Sequence, residues 1–339
     1  MKNPFQYGSV VTEEAFCNRK KEIADLHRAI ENSQKLFLYS ERRLGKTSLV
    51  KLVLARLPRK SFLSVYVDLW PTDSEASFVT TLARAITESL STSLEKSLDT
   101  ARGLFAHLTP SLTVDDDGKP LVTFGIAKRS YVEQELEEVL ATPEIVSRKG
   151  PRHVVIVFDE FQRITDYRTD LVERKLRSII QMHTHVSYLF LGSRKHIIQR
   201  MFLEKGRPLY RSATHYPIHP IDAREWAPFI RARFATARKH IVEEHINAIC
   251  VATQGHPFYT QHFCHVLWEL CDEREAVTDE LIRTAMDVLL QRESYAYATL
   301  WDSLTRNQQS FVKALAREEA KLFHRGSFLE MKKPVMEYS

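Results

Sequence analysis

The chain has 339 residues, 44% of them apolar, and carries 48 basic against 43 acidic side chains for a formal net charge of +5. That length admits two or three domains, and that apolar share excludes a chain disordered throughout. So small a basic excess does not by itself imply a nucleic-acid partner.

The four cysteines, Cys17, Cys250, Cys264 and Cys271, form no C-x-x-C pair and no disulfide framework. Reduced thiols and a cytoplasmic location are the expectation. The first ten residues, MKNPFQYGSV, lack the apolar core of a signal peptide, and no apolar run reaches the roughly 18 residues that a membrane span needs.

In chain order, residues 1–19 read as an extended lead-in. Ile23, Leu26 and Ile30 give residues 20–32 a helical apolar face. The run LFLY, Leu36 to Tyr39, reads as a strand, followed by a turn and then by a helix over TSLVKLVLARL. A second strand is expected over Phe62 to Trp70 and a helix from Ser74 into the nineties. Residues 111–125 have two apolar-rich arms around Asp117-Gly118, a hairpin signal, and predict an insertion at about 100–130. A polar helix is expected from Tyr131 to Leu140. Val154 to Phe158 is almost wholly β-branched and suits a strand buried on both faces. Ser187 to Gly192 is a further strand. His215 to Ile221 is an edge strand, because its two prolines cannot donate to a central ladder. Strands alternating with helices predict a parallel α/β sheet. Beyond Asp222 the pattern is helical over 222–239, 243–253, 257–272 and 278–291, with another helix after Leu304. The domain boundaries expected are 1–221 for the sheet domain, 222–293 for a helical domain and 294–339 for a short final unit.

One segment carries most of the chemistry. Ser40-Glu41-Arg42-Arg43-Leu44-Gly45-Lys46-Thr47, with Ser48 following, fits the phosphate-loop pattern G-x-x-x-x-G-K-[ST] except that Ser40 stands for the first glycine. Backbone N–H groups of such a loop point inward at a phosphate, and the following helix aims its positive end at the same anion. Lys46 would meet the β- and γ-phosphates of ATP or ADP, and Thr47 would offer its hydroxyl to Mg²⁺. Serine takes the backbone required at position 40 where φ is negative; a positive φ would cost about 1 kcal/mol or more. Arg42 and Arg43 can meet phosphate, an acidic partner or a neighbouring carboxylate, or be simply solvated.

Asp159 ends the third core strand, where ligands of open α/β sheets gather, and is the candidate second holder of Mg²⁺. Glu160 beside it suits orienting and polarising an attacking water. Ser193, after LFLG, is either a γ-phosphate sensor or a turn residue, with Arg194 next to it. His262, Cys264 and His265 share one helix, but no second ligand pair follows at zinc spacing; Phe258, Tyr259, Phe263, Val266, Leu267 and Leu270 of the same helix read as an apolar core stripe.

These features together resemble the predominantly archaeal ATPase_2 family, a branch of the STAND class within the AAA+-related P-loop ATPases. The matching segments are NPFQYG at 3–8, FCNR at 16–19, ERRLGKTSL at 41–49, VFDEFQ at 157–162, LGS at 191–193, PLY at 208–210 and QGHPFYTQ at 254–261. The resemblance implies a sheet of 51432-type order, with a strand between the phosphate-loop strand and the Asp159 strand, then a helical lid and a winged helix. It implies ATP hydrolysis with Glu160 as base, Lys46 and Thr47 on phosphate and metal, Ser193 as the polar sensor, and Pro257 near the nucleotide. Asn18 and Arg19 would border the adenine, and Arg211 would report to the nucleotide or to a neighbouring subunit. LTRNQQSFVKALARE resembles only the first helix of a winged helix. Three functions are open: a hydrolase that cycles conformation, a slow or non-hydrolysing nucleotide-gated protein with a protein partner, and a DNA-associated ATPase. An oligomer is compatible with each.

Overall fold

The structure, a computed structural model, describes residues 2–11, 13–91, 94–114, 120–126 and 132–325. The chain divides into two compact units, Arg19–His219 and Met1–Asn18 with Pro220–Ser339.

The first unit is built on five parallel strands in the order β2-β5-β6-β1-β7. They are β1 (Lys35–Tyr39), β2 (Phe62–Asp68), β5 (His153–Asp159), β6 (Val186–Gly192) and β7 (Thr214–Pro217). Numbered among themselves from the β7 edge they run 5-1-4-3-2, the expected order. β5 and β6 are buried almost end to end, as strands covered on both faces must be. β2, at one edge, alternates buried with half-buried positions. At the opposite edge β7 holds Pro217, where a missing N–H does least harm.

Helices α1 (Lys20–Glu31), α2 (Lys46–Arg56), α3 (Glu75–Leu90), α4 (Leu94–Leu104), α5 (Val132–Lys149), α6 (Leu171–Ile180) and α7 (Lys195–Leu203) complete this unit. α5 runs well beyond the expected Leu140, straight through Pro143. Val139, Leu140 and Pro143 are all buried there, so packing outweighs the proline's missing N–H. The inserted arms pair as an antiparallel hairpin, β3 (Leu108–Val114) with β4 (Pro120–Ile126). Its tip, with Asp117-Gly118, lies outside the described residues. Phe37, Phe158, Phe161, Phe190 and Phe202 stack through the sheet core, with ring centroids as close as 4.6 Å.

The second unit is helical: α8 (Ala223–Thr236), α9 (Glu243–Thr253), α10 (Pro257–Leu270), α11 (Asp279–Arg292), α12 (Ser294–Ser303) and α13 (Arg306–Arg325). The lead-in belongs here and not with the sheet, because Phe5 and Cys17 bury in the core of this unit beside Trp226, Phe234 and Phe263. Asn3 donates to the His265 carbonyl, the Phe5 carbonyl meets His265 Nδ1 at 2.9 Å, and Tyr7 stacks on His262 at 4.0 Å. These two histidines therefore lace the lead-in to α10. Gly255 has φ +65, and a Cβ there would collide with the Ile221 carbonyl oxygen. Both the backbone shape and the close approach demand glycine at this point of the G-x-P segment. Pro257 opens α10 at its first turn, where a missing N–H costs nothing. His256 is the N-cap residue of that helix, and its side chain does not make the capping bond. α13 supplies the helix expected after Leu304, and α12 precedes it; none of the described side chains of these two helices is buried. Residues 326–339, which follow the helix that resembles the first of a winged helix, lie outside the described residues.

Candidate functional site

The register of the sheet assembles the site. Tyr39 pairs with Gly192, Phe158 with Phe190, and Asp68 with Asp159. The residues that follow β1, β5 and β6 therefore emerge at one edge, the carboxyl end of the sheet. Because β6 lies between β1 and β5, Ser193 stands between the phosphate loop and the Asp159-Glu160 pair.

The loop from Ser40 to Gly45 turns the chain from β1 into α2. Ser40 is buried and keeps a negative φ, so no strain falls on it. The left-handed residues are Arg43 (φ 61) and Gly45 (φ 82). The non-glycine penalty expected at position 40 is thus carried by Arg43, and serine replaces glycine at the strand end without backbone cost. Leu44 is buried and anchors the loop from inside, while Glu41, Arg42 and Arg43 face outward.

Lys46 is only 6% exposed. Its ammonium donates to Ser40 Oγ at 2.8 Å and to the Glu41 carbonyl at 3.4 Å. Burial lowers its pKa to about 8, against the pull of Glu160 and Asp159, which favour the charged form. The lysine is thus a desolvated cation held by two neutral oxygens, and a phosphate would be a stronger partner than either.

Thr47 Oγ1 donates to Asp159 Oδ2 at 2.9 Å, across 112 positions of sequence. The Tyr66 hydroxyl donates to the same oxygen, and the Glu160 N–H donates to Oδ1 at 2.9 Å. Burial and the neighbouring Asp159 charge push the Tyr66 hydroxyl well above its ordinary pKa, so it stays a donor. Sequence reasoning missed Tyr66. Its signal was the polar face of β2, where Ser64, Tyr66 and Asp68 alternate with buried Leu63, Val65 and Val67.

Glu160 adopts a left-handed backbone (φ 51) between β5 and the 3-10 turn Phe161–Asp166. Its Oε2 accepts hydrogen bonds from Ser193 Oγ at 2.8 Å and from Gln162 Nε2. Ser193 is therefore engaged with the candidate base rather than idle in a turn.

Arg19 is buried, with φ 56, and donates to the carbonyls of Leu44 and His219, both at 3.0 Å, and to Glu22 at 2.9 Å. It ties the start of α1 to the phosphate loop. Arg211 lies elsewhere. It stacks over Tyr210 and lines a cleft with Lys35 and Thr214 at the amino ends of β1 and β7. The full length of β1 separates that cleft from the phosphate loop, so Arg211 does not report to a nucleotide in its own chain. The structure thus brings together Ser40 to Ser48, Asp159, Glu160, Ser193 and Arg19 in the sheet unit; Pro257 belongs to the helical unit.

The described helices include none long and apolar enough to cross a membrane. None of the curated proteins matches the chain. Among solved structures, the Walker-type ATPase of Pyrococcus abyssi is similar at 15% identity and TM-score 0.56, over 93% of this chain and 78% of that one. The Aeropyrum pernix ORC2 protein, solved in ADPNP–ADP complexes, is similar at 14% identity and TM-score 0.51, over 84% and 72%. The Aeropyrum pernix ORC1 protein, solved in complex with DNA, gives 14% and 0.51, over 92% and 74%. At such identities the likeness shows a shared fold. The family evidence is more direct, since the model of an ATPase domain predominantly from Archaea matches residues 16–263. With its phosphate loop, five-stranded sheet and helical second unit, the chain belongs to this ATPase_2 family.

Proposed function

We propose that the chain binds ATP with Mg²⁺ at the carboxyl end of its sheet and hydrolyses it, and that this cycle drives a conformational switch. The observation that carries the proposal is the 2.9 Å bond between Thr47 and Asp159 beside the buried ammonium of Lys46. A hydroxyl and a carboxylate are hard oxygen donors, suited to Mg²⁺ that keeps water and phosphate oxygens as its remaining ligands. Bound there, the cation would neutralise charge on the β- and γ-phosphates.

Lys46 exchanges Ser40 and the Glu41 carbonyl for phosphate oxygens. The N–H groups that open α2 face the same anion. Tyr66 keeps the Asp159 carboxylate oriented. Glu160 aligns the attacking water and accepts its proton. Arg19 holds the loop at Leu44 and so acts on the nucleotide through the backbone. Pro257 and the G-x-P turn are assigned to the nucleotide from the family resemblance.

The alternative is a slow, nucleotide-gated protein with a protein partner. Co-purified ADP with burst-only turnover would select it. The four cysteines are buried thiols, which fits a reducing cytoplasm. For DNA association the support is the fold likeness to an ORC1 protein solved with DNA; a steep loss of DNA affinity with salt would reveal it.

The metal assignment is tested by Asp159→Asn. A Mg²⁺ titration of ATP binding should flatten, with affinity at saturating Mg²⁺ falling about tenfold or more. An unchanged titration would remove Asp159 from the metal site.

A further inference from the structure

We infer that Gln162 is a positioning residue for Glu160, fixing the carboxylate that meets the attacking water; this rests on the hydrolytic reading above. Gln162 is 2% exposed and reaches back from the first turn after β5. Its Nε2 donates to Glu160 Oε2, and Ser193 Oγ donates to the same oxygen. Nε2 and Ser193 Oγ are 3.5 Å apart, so the three side chains close a triangle. The serine proton goes to the carboxylate, which leaves the serine lone pairs toward the amide.

The amide has one sensible orientation. Reversed, Gln162 Oε1 would lie against the carboxylate. As it stands, Oε1 is buried and without a hydrogen-bond partner. Such an orphan is destabilising unless something else compensates for it. Space for it is made at Gly192, where a Cβ would come within 2.9 Å of Oε1 and would also strike Ile198. Glu160 adds the strain of a left-handed backbone. An unsatisfied acceptor, a required glycine and a strained glutamate thus converge on one result, a carboxylate with Oε2 fixed by two donors. Among the described residues Oε1 of Glu160 accepts no hydrogen bond, so it is the oxygen presented to water. A buried glutamine that only filled space would need none of these.

The test is Gln162→Met, which keeps the side chain's length and fills its niche but donates nothing. Single-turnover hydrolysis should slow at least about tenfold, with KM and Kd for ATP within about twofold, because Gln162 bonds to neither the phosphate loop nor Thr47. In a Glu160→Gln background, Gln162→Met should have no further effect. Should Gln162→Met fail to fold, Gln162→Leu, which also donates nothing, carries the same expectation. A wild-type rate in the variant, a raised KM, or an equal loss in the Glu160→Gln background overturns the assignment alone. A wild-type protein with no turnover at all overturns the hydrolytic reading and this inference with it.

Discussion

The two ends of the same five-stranded sheet are built on opposite terms. At the amino end of β5 and β6 the polar groups satisfy one another. Glu144 accepts from the N–H of His185 at 3.1 Å and from Arg148 at 2.8 Å. Ser147 donates to the carbonyl of His185, Ser187 to that of Ile30, and Lys35 to that of His183. His183 meets the Tyr188 hydroxyl at 2.7 Å. At the carboxyl end the structure holds left-handed backbone at Arg43 and Glu160, a desolvated ammonium on Lys46, and an unpaired amide oxygen on Gln162. The unpaired amide oxygen and the deeply buried ammonium stand at the carboxyl end, where a ligand would relieve them, while left-handed backbone occurs at both ends, at Ser33 and Arg211 before β1 and β7 as well as at Arg43 and Glu160. On the proposed reading, the first end serves stability and the second serves chemistry.

That contrast can be broken by mutation. The largest effect is expected from Lys46→Ala, which removes the ammonium held ready for phosphate. ATP affinity should fall about 100-fold, from two lost charge-assisted bonds, while Tm stays level or rises because a buried cation has gone. Calorimetric titration beside thermal unfolding reads both; near-native ATP affinity would refute the phosphate site.

Next in size is Glu144→Gln at the opposite end. It should lower stability by about 1–3 kcal/mol in urea unfolding and leave ATP affinity within about twofold. A comparable loss of nucleotide binding would mean that the two ends are not separate in role.

The smallest effect is in the acid limb of stability. Burial lowers His183 to about 4 from its ordinary 6.5. The neutral ring therefore contributes stability that is complete above pH 6.5 and drains away as the pH falls toward 4. For Glu144, burial favours the neutral acid, but hydrogen bonds from His185, Thr184 and Arg148 outweigh it and bring the group to about 2. Its contribution is complete above about pH 4.5 and is lost between there and pH 2. Tm against pH should therefore be shallower for His183→Gln between pH 6.5 and 4, and for Glu144→Gln between 4.5 and 2. Parallel curves for wild type and both variants would contradict these assignments.

Much of this was legible in the sequence because it is local. A strand, a loop ending in Gly45-Lys46-Thr47 and a helix announce a phosphate site by spacing alone. A β-branched run ending in Asp159-Glu160 announces the carboxylates. What escaped depends on contacts between distant segments. Tyr66 reaches Asp159 across 93 positions, through a register that no local pattern states. Gln162 stood in plain view after Asp159-Glu160, yet its role depends on the niche at Gly192, thirty residues on. Backbone strain was looked for at Ser40, where the pattern lacks its glycine, and was found at Arg43, because the loop turns there. The lead-in's place in the helical unit rests on Phe5 meeting Phe234, with ring centroids 5.6 Å apart, a contact between segments far apart in the sequence.

The central claim is that the carboxyl end of the sheet hydrolyses ATP with Glu160 as its base. Steady-state turnover of Mg²⁺-ATP, measured for wild type and Glu160→Gln beside their ATP affinities, tests it most directly. The account predicts turnover in the wild type, a loss of about 100-fold or more in Glu160→Gln, and equal ATP affinity in both. Turnover undiminished in Glu160→Gln would contradict it.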